Sequence, residues 1–294
     1  MPFQKMSARL YPPRHWVLVG YPNSGKSTFA ARMRAPILPI DADHRFAEIA
    51  ALVDGDIFQL SETPADNNDT DIIEGLLSQN MPGSGVKTII VDSLTAILTP
   101  KTVKAVRDNS AGRNVNRASA FIEKSTARAQ LQHAVTRWGC DTLWVYHLED
   151  GIDSKGKEET RPTVSKAERA KLITSMNLEL HTVTFSAGSS SASSNGGRCL
   201  GIKVVWARNG VKDIILWDDS GKWLDMPERI EAAVYDRAWV PTKKEFFDEV
   251  KAELGLMGQA AAESLKAAGF EHYDWRQVQK MFDALKMNNP PGGG

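Results

Sequence analysis

The stretch Gly20-Tyr21-Pro22-Asn23-Ser24-Gly25-Lys26-Ser27-Thr28 is a complete G-x-x-x-x-G-K-[ST] loop, and the apolar run Trp16-Val17-Leu18-Val19 stands directly before it. A strand, this loop and then a helix form a unit that an α/β fold can accommodate and an all-helical or all-β chain cannot. The two glycines let the backbone curl until successive N–H groups point inward at phosphate oxygens. The helix expected from Ser27 through Thr28-Phe29-Ala30-Ala31-Arg32-Met33 adds the positive end of its dipole. Lys26 then reaches the β- and γ-phosphates, and the Ser27 hydroxyl enters the shell of a Mg²⁺ ion. The loop as a whole, Gly20 to Thr28, reads as a nucleoside triphosphate site, with ATP and Mg²⁺ as its cofactors.

At 294 residues, the chain has room for one α/β domain and an appendage. Its hydrophobic share of 42% and charged share of 24% belong to a globular protein. No apolar run approaches a membrane span, and residues 1–14 carry no secretory pattern, so the expected compartment is the cytoplasm, with no membrane partner. Cys140 and Cys199 lack metal-ligand spacing and read as packed thiols. A formal net charge of +0 excludes a protein coated in positive charge, although not a local basic groove.

Along the chain, Ile37-Leu38-Pro39-Ile40 predicts a second strand that ends in Asp41-Ala42-Asp43. Acids at the carboxyl end of a strand beside a phosphate loop either face a ligand or are solvated turn residues. Lys87-Thr88-Ile89-Ile90-Val91-Asp92-Ser93 is a buried strand ending in an acid placed to hold Mg²⁺ through water. From Thr99 to Ser119 the chain is polar and basic: Lys101, Lys104, Arg107, Arg113 and Arg117 stand with Asp108 as the acid among them, a solvated surface or a binding one. A helix over Ala118–Trp138 and the strand Thr142–Tyr146 lead to His147, and a second polar loop, Glu149–Thr163, carries Lys155, Lys157 and Arg161. After a helix over Lys166–Met176 come three β runs, Leu178–Phe185, Leu200–Ala207 and Val211–Trp217. The Ser/Gly-rich segment Ser186–Arg198 connects the first two, and Arg208-Asn209-Gly210 is a hairpin signal between the last two. Beyond Pro227 the pattern is helical only, with a capping box at Thr242–Glu245. The expected domains are 1–226, an ATPase core; 227–287, a helical module; and 288–294, a Pro/Gly-rich disordered tail.

Two stretches carry a resemblance. Val91-Asp92-Ser93-Leu94-Thr95-Ala96-Ile97-Leu98-Thr99-Pro100-Lys101, followed by a basic segment, a helix and a strand ending at a polar residue, resembles the core of RecA. The resemblance implies a mostly parallel sheet flanked by helices, with Thr99–Arg117 and Glu149–Thr163 as two DNA-binding loops. It also puts His147 where RecA has a γ-phosphate-sensing glutamine; a strand-end histidine satisfied locally is the other reading. Ile202-Lys203-Val204-Val205-Trp206-Ala207-Arg208-Asn209-Gly210 resembles the hairpin of DnaB-type helicases that sends an arginine into the neighbouring subunit's ATP. Arg208 matches that arginine, and Trp206 stands where those proteins have lysine; a plain hairpin arginine is the other reading.

Over Trp16–Trp223 the combination resembles the phage RecA-like ATPases of the Sak group, used in single-strand annealing and recombination. In such proteins an acid at the end of the second strand aligns the attacking water, and Asp43 is the matching position. The resemblance implies single-stranded DNA and further copies of the chain, in a ring or filament, as partners. The C-terminal helices lie outside it: their apolar stripes read as a self-contained bundle, and a single-strand-binding or replication protein, or the neighbouring subunit, is the partner expected to dock on them. A replicative helicase motor or its loader, and a nucleotide-switched binding module, are the alternatives.

Overall fold

The computed structural model describes residues 10–113, 121–152, 156–186 and 198–289. Five parallel strands form the centre of the fold: β1 (His15–Gly20), β2 (Ile37–Asp41), β3 (Thr88–Asp92), β4 (Asp141–Ile152) and β6 (Leu178–Ser186). The sheet order is β2-β3-β4-β1-β6-β7-β8, with β7 (Arg198–Ala207) and β8 (Ile214–Asp218) added antiparallel and β5 (Glu158–Pro162) folded back on β4. This is an α/β fold with a mostly parallel sheet flanked by helices and followed by C-terminal helices, the class the sequence leads one to expect.

Strand periodicity divides the core in two. Val17, Val19, Ile89, Val91, Trp144 and Tyr146 face one side, where α2 (Thr70–Asn80), α3 (Leu94–Ser110), α4 (Ile122–Thr136) and α5 (Lys166–Ile173) cover them. The alternating residues Trp16, Leu18, Ile90, Leu143 and Val145 face the other side, against α1 (Lys26–Ala30) and α6 (Met226–Glu231). A third cluster, Phe246, Val250, Ala261, Leu265, Val278, Met281, Phe282 and Leu285, joins α7 (Lys243–Leu254), α8 (Gly258–Ala267) and α9 (Val278–Asn288). The capping box at Thr242 and Glu245 is formed as expected. Among the described residues no helix is long and apolar enough to cross a membrane.

Several expectations are corrected. The segment taken as a basic loop from Thr99 is helix α3 as far as Ser110, in spite of Pro100 within it. Proline in a helix interior costs about 3 kcal/mol, but Leu94, Ile97, Leu98 and Ala105 are buried at helical spacing and hold the helix on the sheet. The segment Glu149–Thr163 is a β-hairpin: β4 runs on to Ile152 and pairs with β5, Glu149 opposite Arg161 and Asp150 opposite Thr160. The helix after the phosphate loop ends at Ala30, short of Met33.

The boundary after Met226 cuts through a packed unit. Met226, Ile230, Ala232, Ala233, Val234 and Val240 are buried with the sheet, and buried Arg14 is paired with Glu228 and Glu231 at 2.7 Å each. The helices that pack on themselves begin after Pro241. Asn288, given to the tail, closes α9. Residues 290–294, Arg117, Lys155 and residues 187–197 of the expected connector lie outside the described residues.

Candidate nucleotide site

Parallel pairing brings the functional side chains to one end of the sheet. Gly20 pairs with His147, Asp41 with Asp92, and Asp92 with Val145, so the phosphate loop, Asp43, Asp92 and His147 all lie level with or just beyond the carboxyl ends of β1, β2 and β3. Ligands of open parallel sheets bind there. A cleft of about 650 Å³ is lined by Pro22, Asn23, Gly25, Lys26, Ser27, Thr28, Asp43, Arg45, Glu48, Ile49, Asp92 and His147.

The loop is held from outside its own sequence. Gly20 packs so close to β6 that a Cβ would lie 1.8 Å from Thr182 Oγ1, and the Thr182 hydroxyl donates to Ser24 Oγ at 2.8 Å. Gly25 has φ +81°, a conformation side chains rarely adopt, and the buried Trp223 indole donates to its carbonyl at 3.0 Å. Trp223 stands 198 residues away, and no local pattern announces it.

Lys26 is buried and folds back, its ammonium donating to the carbonyls of Gly20 at 3.0 Å and Tyr21 at 2.6 Å. Burial brings its pKa down to about 8, against the partial support of Asp92 and Asp43. Burial likewise raises the Asp92 carboxyl above its ordinary value, offset by the Ser27 hydroxyl, which donates to Asp92 Oδ2 at 3.0 Å. Asp43 is held below its ordinary value, chiefly by His147, whose Nε2 lies 3.9 Å from Asp43 Oδ2. His147 Nδ1 is buried without a hydrogen-bond partner.

The paired acids after β2 divide their labour. Asp41 caps the turn, accepting from the backbone of Arg45 at 3.1 Å and Phe46 at 2.8 Å, which is the structural reading. Asp43 is the one that lines the cleft. Arg45, Glu48 and Ile49 also line it, from the turn and the 3-10 helix Phe46–Leu52, and sequence reasoning passed over them because their backbone follows no long period.

The donor set fits Mg²⁺. Ser27 and Asp92 offer hard oxygen ligands side by side, and among the described residues no cluster of three or more His, Cys, Asp or Glu could hold a metal. An ion that keeps its waters and takes most of its ligands from phosphate needs no such cage.

The other expected site residues are dispersed. Arg208 follows Ala207, which pairs with Leu178 beside Trp16, so it stands at the amino ends of the parallel strands. Four residues of β1 separate that level from Gly20, about 13 Å at ~3.3 Å per residue. There Arg208 is exposed, donates to the Thr174 carbonyl at 2.6 Å and lies over the Trp206 ring, 5.9 Å from its centroid. Asn209 takes the left-handed turn conformation, whereas Gly210 serves close packing, since a Cβ there would lie 2.4 Å from Val234 Cγ1.

Lys101 and Lys104 pair with Glu123 at 3.0 and 2.6 Å, and Arg113 pairs with Asp108 at 3.2 Å. The cations of this segment are therefore partly neutralised by Glu123 of α4, which the expected loop did not include. Arg161 pairs with Glu149 at 3.0 Å, and residues 149–162 hold five acids (Glu149, Asp150, Asp153, Glu158, Glu159) against Lys155, Lys157 and Arg161. The hairpin is thus an acidic element rather than a basic one.

Comparison with known proteins returns the family described as AAA domain over residues 13–201, more than half of the chain. No curated protein matches the sequence. Among solved structures, a KaiC-like protein from the archaeon Pyrococcus horikoshii is 12% identical with a TM-score of 0.38, covering 66% of this chain and 78% of its own. The flagellar accessory protein FlaH from Methanocaldococcus jannaschii is 13% identical with a TM-score of 0.36, covering 71% of this chain and 92% of its own. The match over residues 13–201 takes in the phosphate loop, Asp43, Asp92 and His147, and the chain belongs to the AAA domain family of P-loop ATPases.

Proposed function

We propose that the chain hydrolyses ATP in a site shared between copies, is stimulated by single-stranded DNA and acts in strand annealing or recombination, as the Sak-type ATPases do. The observation that carries the shared site is the place of Arg208, an exposed arginine at the sheet end opposite its own phosphate loop. An arginine so placed serves a nucleotide only in another molecule, and repeating that heterologous contact gives a ring or a filament.

In this reading Lys26 exchanges the Gly20 and Tyr21 carbonyls for β- and γ-phosphate oxygens, and the loop amides hold the remaining charge. Ser27 and Asp92 would hold the ion, and bound Mg²⁺ would supply neutralisation of the phosphate charge. Asp43, kept ionised, accepts a proton of the attacking water and aligns it, and His147 fixes the Asp43 carboxylate and takes the γ-phosphate-sensing role that the resemblance to RecA implies. Arg208 of the adjoining copy adds positive charge as the transition state forms.

A second reading, a nucleotide-switched module that binds protein, draws on the acidic hairpin and on the neutralised Lys101 and Lys104. The test is complementation: Arg208→Ala and Lys26→Ala proteins, each inactive alone, are mixed. In a random 1:1 assembly about a quarter of the interfaces hold an intact Arg208 against an intact loop. An arginine finger is worth on the order of 10³ in rate or more, so recovery stands far above background. No recovery in confirmed mixed assemblies refutes the shared site, and turnover indifferent to single-stranded DNA favours the second reading.

A further inference from the structure

Tyr21 occupies a free position of the phosphate-loop pattern, yet it makes contacts in two directions. Its carbonyl accepts from Lys26 Nζ at 2.6 Å. Its hydroxyl leaves the loop and donates to Asp150 Oδ1 at 2.6 Å, with Thr160 Oγ1 at 2.8 Å. Asp150 and Thr160 face each other across β4 and β5, and the Thr160 hydroxyl also donates to Asp150 at 2.9 Å, so three oxygens close a triangle on the hairpin. The base of that hairpin is fastened to the cleft as well. Thr163 donates to the His147 carbonyl through its backbone at 2.9 Å and its hydroxyl at 3.1 Å, and its hydroxyl lies 2.7 Å from that of Thr95 at the start of α3.

We infer that Tyr21 is a positioning residue that couples the phosphate loop to the β4–β5 hairpin, so that nucleotide entry shifts the hairpin. The inference rests on the reading of the loop as a nucleotide site. Lys26 has three N–H donors, and two are committed to loop carbonyls. Turning that ammonium toward phosphate releases the Tyr21 carbonyl and lets its peptide move. The stiff tyrosine ring carries the movement to Asp150, three residues beyond His147, or about 10 Å along the strand at ~3.3 Å per residue. The fastening at Thr163 fixes the hairpin's root, so the displacement appears at Asp150 and Thr160 beyond it. Loop and hairpin thereby form one element with two arrangements, which a ligand at either end biases.

The test uses the full chain, Mg²⁺ and a non-hydrolysable ATP analogue. Direct titration first establishes saturation of wild type and Tyr21→Phe, and amide hydrogen exchange is then followed over Leu148–Arg161. The expected result is a change of roughly threefold to tenfold on saturation of wild type, the equilibrium factor of one exposed hydrogen bond. Tyr21→Phe, read at its own saturation whatever its affinity, should show no such change. Asp150→Ala, which removes the acceptor from the hairpin and leaves the loop intact, should lose the response too, and Asp150→Asn, which keeps an acceptor oxygen, should recover part of it. An undiminished response in Tyr21→Phe, or a saturated wild type with unaltered hairpin exchange, overturns the coupling alone. A wild type that takes up no analogue overturns the nucleotide reading and the coupling with it.

Discussion

Cutting the chain after Met226 or after Pro241 gives opposite outcomes. The first cut removes Glu228 and Glu231, the carboxylates that hold Arg14, a side chain only 1% exposed. Breaking a buried ion pair by deleting one partner costs about 3–5 kcal/mol, because the remaining charge is left dry and unpaired. The same cut strips Ile230, Val234 and Val240 from the sheet, at 0%, 1% and 7% exposure. Each such side chain contributes about 1.5–3 kcal/mol when fully buried. Combined, these losses approach the whole stability of an ordinary domain, about 5–15 kcal/mol.

The chain ending at Met226 should therefore be unfolded or aggregated. The chain ending at Pro241 keeps all of these contacts and gives up a cluster that packs mainly on itself, joined to the rest through Trp275 against the sheet core and through Phe246 and Phe282 against Trp239. It should melt cooperatively and bind nucleotide. Urea unfolding read by the fluorescence of buried Trp16, Trp144 and Trp223, with nucleotide titration, makes the comparison. A fragment ending at Met226 whose midpoint matches that of the longer one refutes the reasoning, and with it the weight given to Arg14.

Lys26 sets a pH dependence of definite sign. With its pKa brought to about 8, nucleotide binding above pH 8 must be accompanied by proton uptake, so affinity falls as pH rises, and calorimetry in buffers of differing ionisation heat reads the proton count. In the nucleotide-free protein the unfolded chain holds more protons at this site between about 8 and 10.5, so this group's contribution to stability rises with pH across that window; Lys26→Ala should abolish turnover and erase both effects. On α3, replacing Lys101, Lys104 and Arg107 by alanine should flatten the salt dependence of single-strand binding by roughly 0.7 per lost phosphate contact. Glu123→Gln, which frees Lys101 and Lys104, should strengthen that binding, and unchanged slopes in both proteins would mark these charges as merely solvated.

The parts of this protein legible in sequence are those whose cause is local. Gly20 to Thr28 announces a phosphate loop because its chemistry needs those residues at that spacing, and Asp92 could be placed because a strand's last residue lies where the strand ends, whereas His147 lies within a strand that runs on to Ile152. Thr242 and Glu245 satisfy each other within one helical turn, so their capping box was readable. Tertiary structure decided whatever depends on partners far along the chain. Helix α3 overrides Pro100 because Leu94, Ile97 and Leu98 find a sheet to cover, and only packing supplies that sheet. Polar residues 149–162 become a hairpin because β4 continues past the cleft and offers β5 an edge. Trp223 on Gly25, and Glu231 on Arg14, are contacts across roughly two hundred residues, for which no periodicity exists. The sequence could name the residues of the phosphate-loop pattern. Which residues hold that loop in shape, and where the ATPase core ends, were settled by long-range burial, the main force of folding and one that leaves no local signature.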